Sequence, residues 1–184
     1  MRATEELRKE HQGVELMLQI LQAVANRMGR GEEIPVEDLD GILSFLKVFV
    51  DQCHHGKEEE HLFPAMASVG VPQDDGPIGV MLHEHELGRA LVSRLRDAVT
   101  VLQRGDGSIV PSIQAVVAEY TGLLILHIDK ENRVLFPMAD ARLDAAVDQR
   151  LCEAFELLER ERIGMGRHEQ FHELLHRLRH TYLR

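Results

Sequence analysis

The sequence is poor in several features that would otherwise direct a reading. Only two of its 184 residues are cysteine, Cys53 and Cys152. Two thiols cannot build a disulfide scaffold, so a reducing cytoplasm is the expected setting. No Cys-x-x-Cys or Cys-x-x-Cys-His occurs, which excludes a redox pair of that type and covalently attached haem. Cations are in deficit: 21 Lys and Arg face 31 Asp and Glu, for a formal charge of −10. Such a surface repels a phosphate backbone and anionic lipid, so neither nucleic acid nor a membrane is an expected partner. No apolar run looks long enough to cross a bilayer, and the stretch from Met1 to His11 lacks the apolar core of a signal peptide. No segment alternates polar with β-branched residues, so no sheet is expected. What remains is 44% hydrophobic and 28% charged, enough to bury a core as one globular domain over residues 1–184. One residue type is in excess. There are eleven histidines.

Glycine and proline punctuate the chain at regular intervals: Gly29 and Gly31 before Pro35, Gly70 and Pro72 before Gly76-Pro77, Gly105 and Gly107 before Pro111, then Gly164 and Gly166. Glycine suits the residue after a helix end and proline the first turn of the next. Helices are expected at about 4–28, 36–66, 77–103 and 110–139, followed by shorter ones at about 144–163 and 167–183. The expected fold is all-α, an up-down-up-down four-helix bundle (core about 4–140) with two additional C-terminal helices (about 144–183) packed outside it.

The apolar seams of these helices carry polar residues. The first reads Leu7, His11, Val14, Leu18, Leu21, Ala25 and Met28; the third reads Met81, His85, Gly88, Val92, Leu95, Val99 and Leu102. On the fourth, Ile113, Val117, Tyr120, Leu124, His127, Glu131, Val134 and Met138 share one stripe. On the second, Ile42, Leu46, Phe49 and Cys53 are flanked by a row of Val50, His54, Glu58 and His61. A glutamate on an apolar face is costly to bury unless something binds it.

An internal repeat selects among these residues. His54 to Pro64 and His127 to Pro137 both read H-x3-E-x3-L-F-P, offset by 73 residues, and Glu10-His11 recurs as Glu84-His85 at an offset of 74. The register favours His54 and Glu58 over the overlapping His55 and Glu59. In antiparallel hairpins rising ~1.5 Å per residue, the four histidines arrive at one level, and the i, i+4 spacing sets each glutamate one turn from its histidine. Four imidazoles and two carboxylates around a pseudo-twofold axis suit two metal ions, each with two histidines and both sharing the carboxylates.

These two segments, with single histidines on the first and third helices, resemble the hemerythrin-like (HHE cation-binding) domains over about residues 4–140. The resemblance implies a non-haem di-iron centre, two iron ions with a bridging oxo or hydroxo group, held by His11, His54, Glu58, His85, His127 and Glu131. Ligand type alone leaves zinc and manganese open, so iron rests on the resemblance. Ferritin-like bundles use an E-x-x-H spacing instead, which is absent at these positions. The chain departs from oxygen-carrying hemerythrins, which have an H-x3-H pair on the third helix; four residues from His85 stand Met81 and Arg89. Their aspartate, five after the last histidine, is Asn132 here, with Glu131 at four. The pattern is closer to the family's iron–sulfur repair and iron-sensing branches. The freed coordination position is open to water, a bridge or an extra ligand.

Other residues receive plainer readings. His55 is the first candidate for an extra ligand. His61 suits a supporting or surface role, and His83 falls off the seam. His168, His172, His176 and His180 form a ladder read as the polar flank of the Phe171, Leu175, Leu178 and Tyr182 stripe. Tyr120 is read as a core residue with a satisfied hydroxyl, Cys53 as an inert buried thiol, and Pro64 and Pro137 as kinks or ends. The expected function is a di-iron protein that binds or senses oxygen, nitric oxide, peroxide or iron. The alternative is a di-iron enzyme that decomposes peroxide or supports iron–sulfur cluster repair. No acid, base or substrate pocket is legible, so no catalytic residue is assigned, and no protein partner is readable.

Overall fold

The computed structural model describes residues 1–162, 164 and 166–183, the side chain at 167 excepted. Six helices follow one another: α1 (Arg2–Gly29), α2 (36–68), α3 (Pro77–Gln103), α4 (110–142), α5 (Ala145–Arg162) and α6 (Arg167–Tyr182). The expected end of the fifth helix at 163 lies outside the described residues. No strand occurs among the described residues. Helices α1 to α4 form the bundle, and their boundaries follow the punctuation. Gly31, two residues past α1, adopts φ +79°, a conformation that favours glycine. Pro77 and Pro111 occupy first turns.

Helices α5 and α6 pack across α1 and α2. Phe155 and Leu158 of α5 and Phe171, Leu175, Leu178 and Tyr182 of α6 are buried there, while His172, His176 and His180 line the exposed side of α6. The ladder is thus the polar flank of an apolar stripe. Gly56 lets α5 approach: a Cβ there would meet the Arg162 guanidinium at 2.9 Å. Buried Asp38 fixes α6 to α2, accepting from Arg177 Nη1 and from the Tyr182 hydroxyl, both at 2.5 Å.

Two apolar clusters fill the molecule. One, with Leu18, Leu46, Leu95 and Val117, occupies most of the bundle. The other, with Leu7, Leu62, Phe63, Met81, Leu135 and Phe136, caps the end where α1 begins. Between them lies a layer of buried histidine and glutamate. The repeated L-F-P tails supply the cap, so the motif builds both the polar layer and its lid.

The prolines do not end their helices, which run on to residues 68 and 142. Immediately before each proline the backbone widens into a π turn, over Glu58–Leu62 and Glu131–Leu135. Phe63 N–H donates to the Glu58 carbonyl and Phe136 N–H to that of Glu131, five residues back. Proline has no N–H and its ring crowds the carbonyl four residues earlier, so a wider turn relieves the clash. One extra residue per turn also moves the buried face by one position. Val134, expected on the core stripe, is 49% exposed and Leu135 is buried in its place. Ala139 replaces Met138 as the buried residue, and on α2 Leu62 replaces His61.

The sequence expectation that nothing could span a bilayer needs one correction. Over Gly107–Arg142 an 18-residue window reaches a mean hydropathy of 1.6, apolar and long enough to cross a membrane by those criteria. Its polar seam residues His127 and Glu131 nevertheless lie buried in the bundle.

Candidate metal centre

The polar layer is built twice from one motif. His11 on α1 and His54 on α2 bring their Nε2 atoms to 3.0 Å, and His85 on α3 and His127 on α4 do so at 3.1 Å. Glu131 reaches His11 Nε2 at 3.1 Å and His127 Nε2 at 3.2 Å. Glu58 reaches His85 Nε2 at 3.5 Å and His54 Nε2 at 3.8 Å. Each carboxylate therefore spans one histidine of each pair. All six residues are buried to within 2% of completely.

The outward nitrogens are held by acceptors. His54 Nδ1 donates to Glu10 (2.7 Å) and His127 Nδ1 to Glu84 (2.9 Å). His85 Nδ1 donates to Glu59 (2.7 Å) and His11 Nδ1 to the Asn132 carbonyl oxygen (3.0 Å). Carboxylates and amide oxygens only accept, so each ring keeps its proton on Nδ1 and turns a lone pair inward from Nε2. Two further repeated residues complete the frame. Lys57 donates to Glu10 (2.5 Å) and Glu6 (2.6 Å), and Lys130 donates to Glu84. The motif phenylalanines stack on the histidines of α1 and α3, Phe136 on His11 (centroids 5.4 Å apart) and Phe63 on His85 (5.9 Å).

His55 joins this layer. It is 4% exposed, stacks on His85 at 3.8 Å between centroids, and neither ring nitrogen has a hydrogen-bond partner. Potential ligand atoms thus fall into two groups, each within 4.8 Å: His11, His54, Glu58 and Glu131, and His55, Glu58, His85 and His127.

Without a cation this arrangement is electrostatically awkward. Inward lone pairs face one another at 3.0 Å, and the oxygens of Glu58 and Glu131 make no aligned hydrogen bond despite their proximity to the imidazoles. Burial, then the charge of Glu131, pushes the Glu58 carboxyl well above its ordinary range. Burial also opposes ionisation of Glu131, but His127 and His11 outweigh it and hold that carboxylate well below. Burial depresses His54, His85 and His55, the last to about 4. For His127, burial is overcome by Glu131 and Glu84, and the ring is raised. One carboxylate protonated and one paired is how such a site settles alone; divalent cations satisfy all the inward groups at once. The donor set fits a pair of metal ions.

The six residues read from the repeat therefore meet in one layer. Sequence reasoning passed over the residues that hold them: Glu10, Glu84, Lys57, Lys130, Glu59 and Asn132. The signal was present, since Glu10 and Glu84 precede the repeated histidines and Lys57 and Lys130 share the 73-residue offset. Tyr120 is a buried core residue, as expected, though its hydroxyl makes no hydrogen bond among the described residues and is not one of the fully buried unpartnered atoms. Cys53 is buried as expected, and desolvation pushes its thiol up to about 12.

No solved structure matches the chain. Uncharacterized proteins of Mycobacterium tuberculosis and Mycobacterium bovis are 25% identical to it over 162 residues. The match takes in 88% of this chain but only 63% of theirs, so the chain spans less than two thirds of those relatives. The hemerythrin HHE cation-binding domain matches residues 2–139, the stretch that contains both hairpins and every residue of the polar layer. By that match and the duplicated motif behind it, the chain belongs to the hemerythrin HHE cation-binding domain family.

Proposed function

We propose that this chain is a non-haem di-iron protein that binds or senses a small molecule, namely oxygen, nitric oxide or peroxide. On this reading His11, His54, Glu58 and Glu131 would hold one iron, and His55, Glu58, His85 and His127 the other. The observation that carries the reading is the buried layer of inward imidazole lone pairs and unaligned carboxylates, which a pair of cations would satisfy together. The preference for iron follows the family. When bound, the metal pair supplies Lewis-acid and redox chemistry. The chain's own residues fix the ring orientations through Nδ1 and raise the basicity of Nε2, and the two apolar clusters keep bulk water out. His55 supplies a third imidazole to the half in which the third helix has no second histidine. A cytoplasmic setting, in keeping with two unpaired cysteines, is part of the proposal.

The test loads the full chain anaerobically with ferrous iron, counts metal, and follows the visible spectrum on adding oxygen, nitric oxide or peroxide. Two irons per chain and a reversible spectral change support binding or sensing. Catalytic consumption of peroxide moves the assignment to an enzyme. Less than one iron per chain, unaffected by Glu58→Ala combined with Glu131→Ala, overturns the di-iron reading.

A further inference from the structure

One face of the duplicated hairpin is covered in the first copy and bare in the second. In the first copy α5 and α6 lie over Phe49, Gly13 and His61. Phe171 meets the Phe49 ring (centroids 6.0 Å apart), Leu175 would touch a Cβ on Gly13 at 3.6 Å, and Phe155 meets the His61 ring at 6.3 Å. At offsets of 73 and 74 residues the corresponding positions are Gly122, Leu87 and Val134, and all three are exposed. Of the eight large apolar side chains exposed among the described residues, five lie on α3 and α4: Val80, Leu87, Ile125, Leu126 and Val134. Gly122 itself weakens the interior of α4, and nothing lies within 4 Å of where its Cβ would stand. No contact within the chain accounts for a glycine there.

The bare face is built of matched rows. Arg94 of α3 donates to Glu119 of α4 at 3.2 Å, both side chains 59% exposed, which fixes the relative height of the two antiparallel helices. Seven residues along each helix toward the polar layer, about two turns, stand Leu87 and Leu126, 44% and 65% exposed. The next row is Val80 on α3 and Val134 on α4, the latter displaced by the extra residue of the π turn. Charges along the rows are balanced. Besides Arg94 and Glu119, Arg133 meets Asp129 at 2.7 Å and Lys130 donates to Glu84. A chain of formal charge −10 repels its own copies, but this face is apolar and neutral.

We propose that the outer face of α3 and α4 is where two copies of this chain associate, about a two-fold axis running along the helices. That axis sets α3 of one copy against α4 of the other at unchanged height, so each row meets its own reverse. Leu87 faces Leu126 of the other copy, Val80 faces Val134, and Arg94 faces Glu119. The two Arg94–Glu119 pairs close an alternating square of four charges at the rim of an apolar centre, the arrangement usual at interfaces. Exposed Ala90 and Gly122, one turn from the leucines, let the helices close together. The association does not depend on the di-iron reading.

Sedimentation equilibrium of the full chain over about 1–200 μM tests this. A monomer–dimer equilibrium is expected, with no larger species because a two-fold contact closes on itself. Leu87→Glu combined with Leu126→Glu should leave only monomer, with unchanged far-UV circular dichroism because both side chains are exposed. Arg94→Glu alone, or Glu119→Arg alone, should weaken the dimer at least about tenfold, and the two together should restore it to within about threefold. A monomer at every concentration, including one that instead binds phosphatidylcholine vesicles through this face, overturns the proposal. So does a dimer that survives both leucine substitutions, or charge reversals that fail to compensate one another.

Discussion

The two halves of the polar layer descend from one motif yet differ where it matters. Around His11 and His54, the supporting ion pair is sealed: Lys57 is fully buried, reaches Glu159 of α5 at 3.4 Å, and lies under the Phe155 ring. Around His85 and His127, its counterpart Lys130 is 40% exposed, because no helix pair covers α3 and α4. At the position of Ile128 in one copy of the motif stands His55 in the other, and Asn132 answers to Glu59. The second half thus has a third imidazole, a charged brace and a groove lined by His55. Duplication supplies the scaffold for two ions; the departures from it decide which half meets a ligand.

Removing the element common to both halves should have the largest effect. Glu58→Gln is expected to lower bound metal from two ions to less than one per chain, by elemental analysis. The same change removes the need to protonate Glu58 when the metal-free chain folds at neutral pH, so that chain should melt about 2–4 °C higher, the opposite of what a structural glutamate would do. Next comes the contrast between the lysines. Lys57→Ala strands buried Glu10 and should cost about 3–5 kcal/mol in denaturant unfolding, whereas Lys130→Ala should cost about 1 kcal/mol or less.

Acid should act on the sealed half. Burial alone would raise the Glu10 carboxyl, but His54 and Lys57 outweigh it and hold the group at about 2 instead of 4.5. The unfolded chain then binds more protons, so this stabilisation is complete above pH 4.5 and lost as pH falls toward 2. The difference corresponds to roughly 3 kcal/mol; the raised Lys57 reports the same contact and adds nothing further. Glu10→Gln should flatten that part of the stability profile. Smallest is the effect of making the halves alike: His55→Ile should keep both ions but weaken one by about tenfold, ~1.4 kcal/mol, seen as two separated steps in an iron titration.

Much of this centre was legible because helical periodicity and an internal repeat constrain the same residues independently. His11, His54, His85 and His127 meet because equal counts run down one helix and up the next. The reading failed where a local irregularity changed the count. Val134 and Met138 follow the heptad on paper, yet the π turn before Pro137 rotates Leu135 and Ala139 into their places. His55 was ambiguous for a related reason: adjacent residues on a regular helix diverge by about 100°, but over the π-helical stretch Phe45–His55 both His54 and His55 turn inward.

By itself, the sequence determined the helices, the duplicated hairpin and the six residues of the layer, since these depend on spacing along a rigid repeat. Only the tertiary structure decided which nitrogen of each imidazole faces inward, because that depends on acceptors contributed by other helices. It alone brought His55 onto His85 and sealed Lys57 beneath α5. Each of these is a matter of what packs against a residue from outside its own helix, and no periodicity within one helix encodes it.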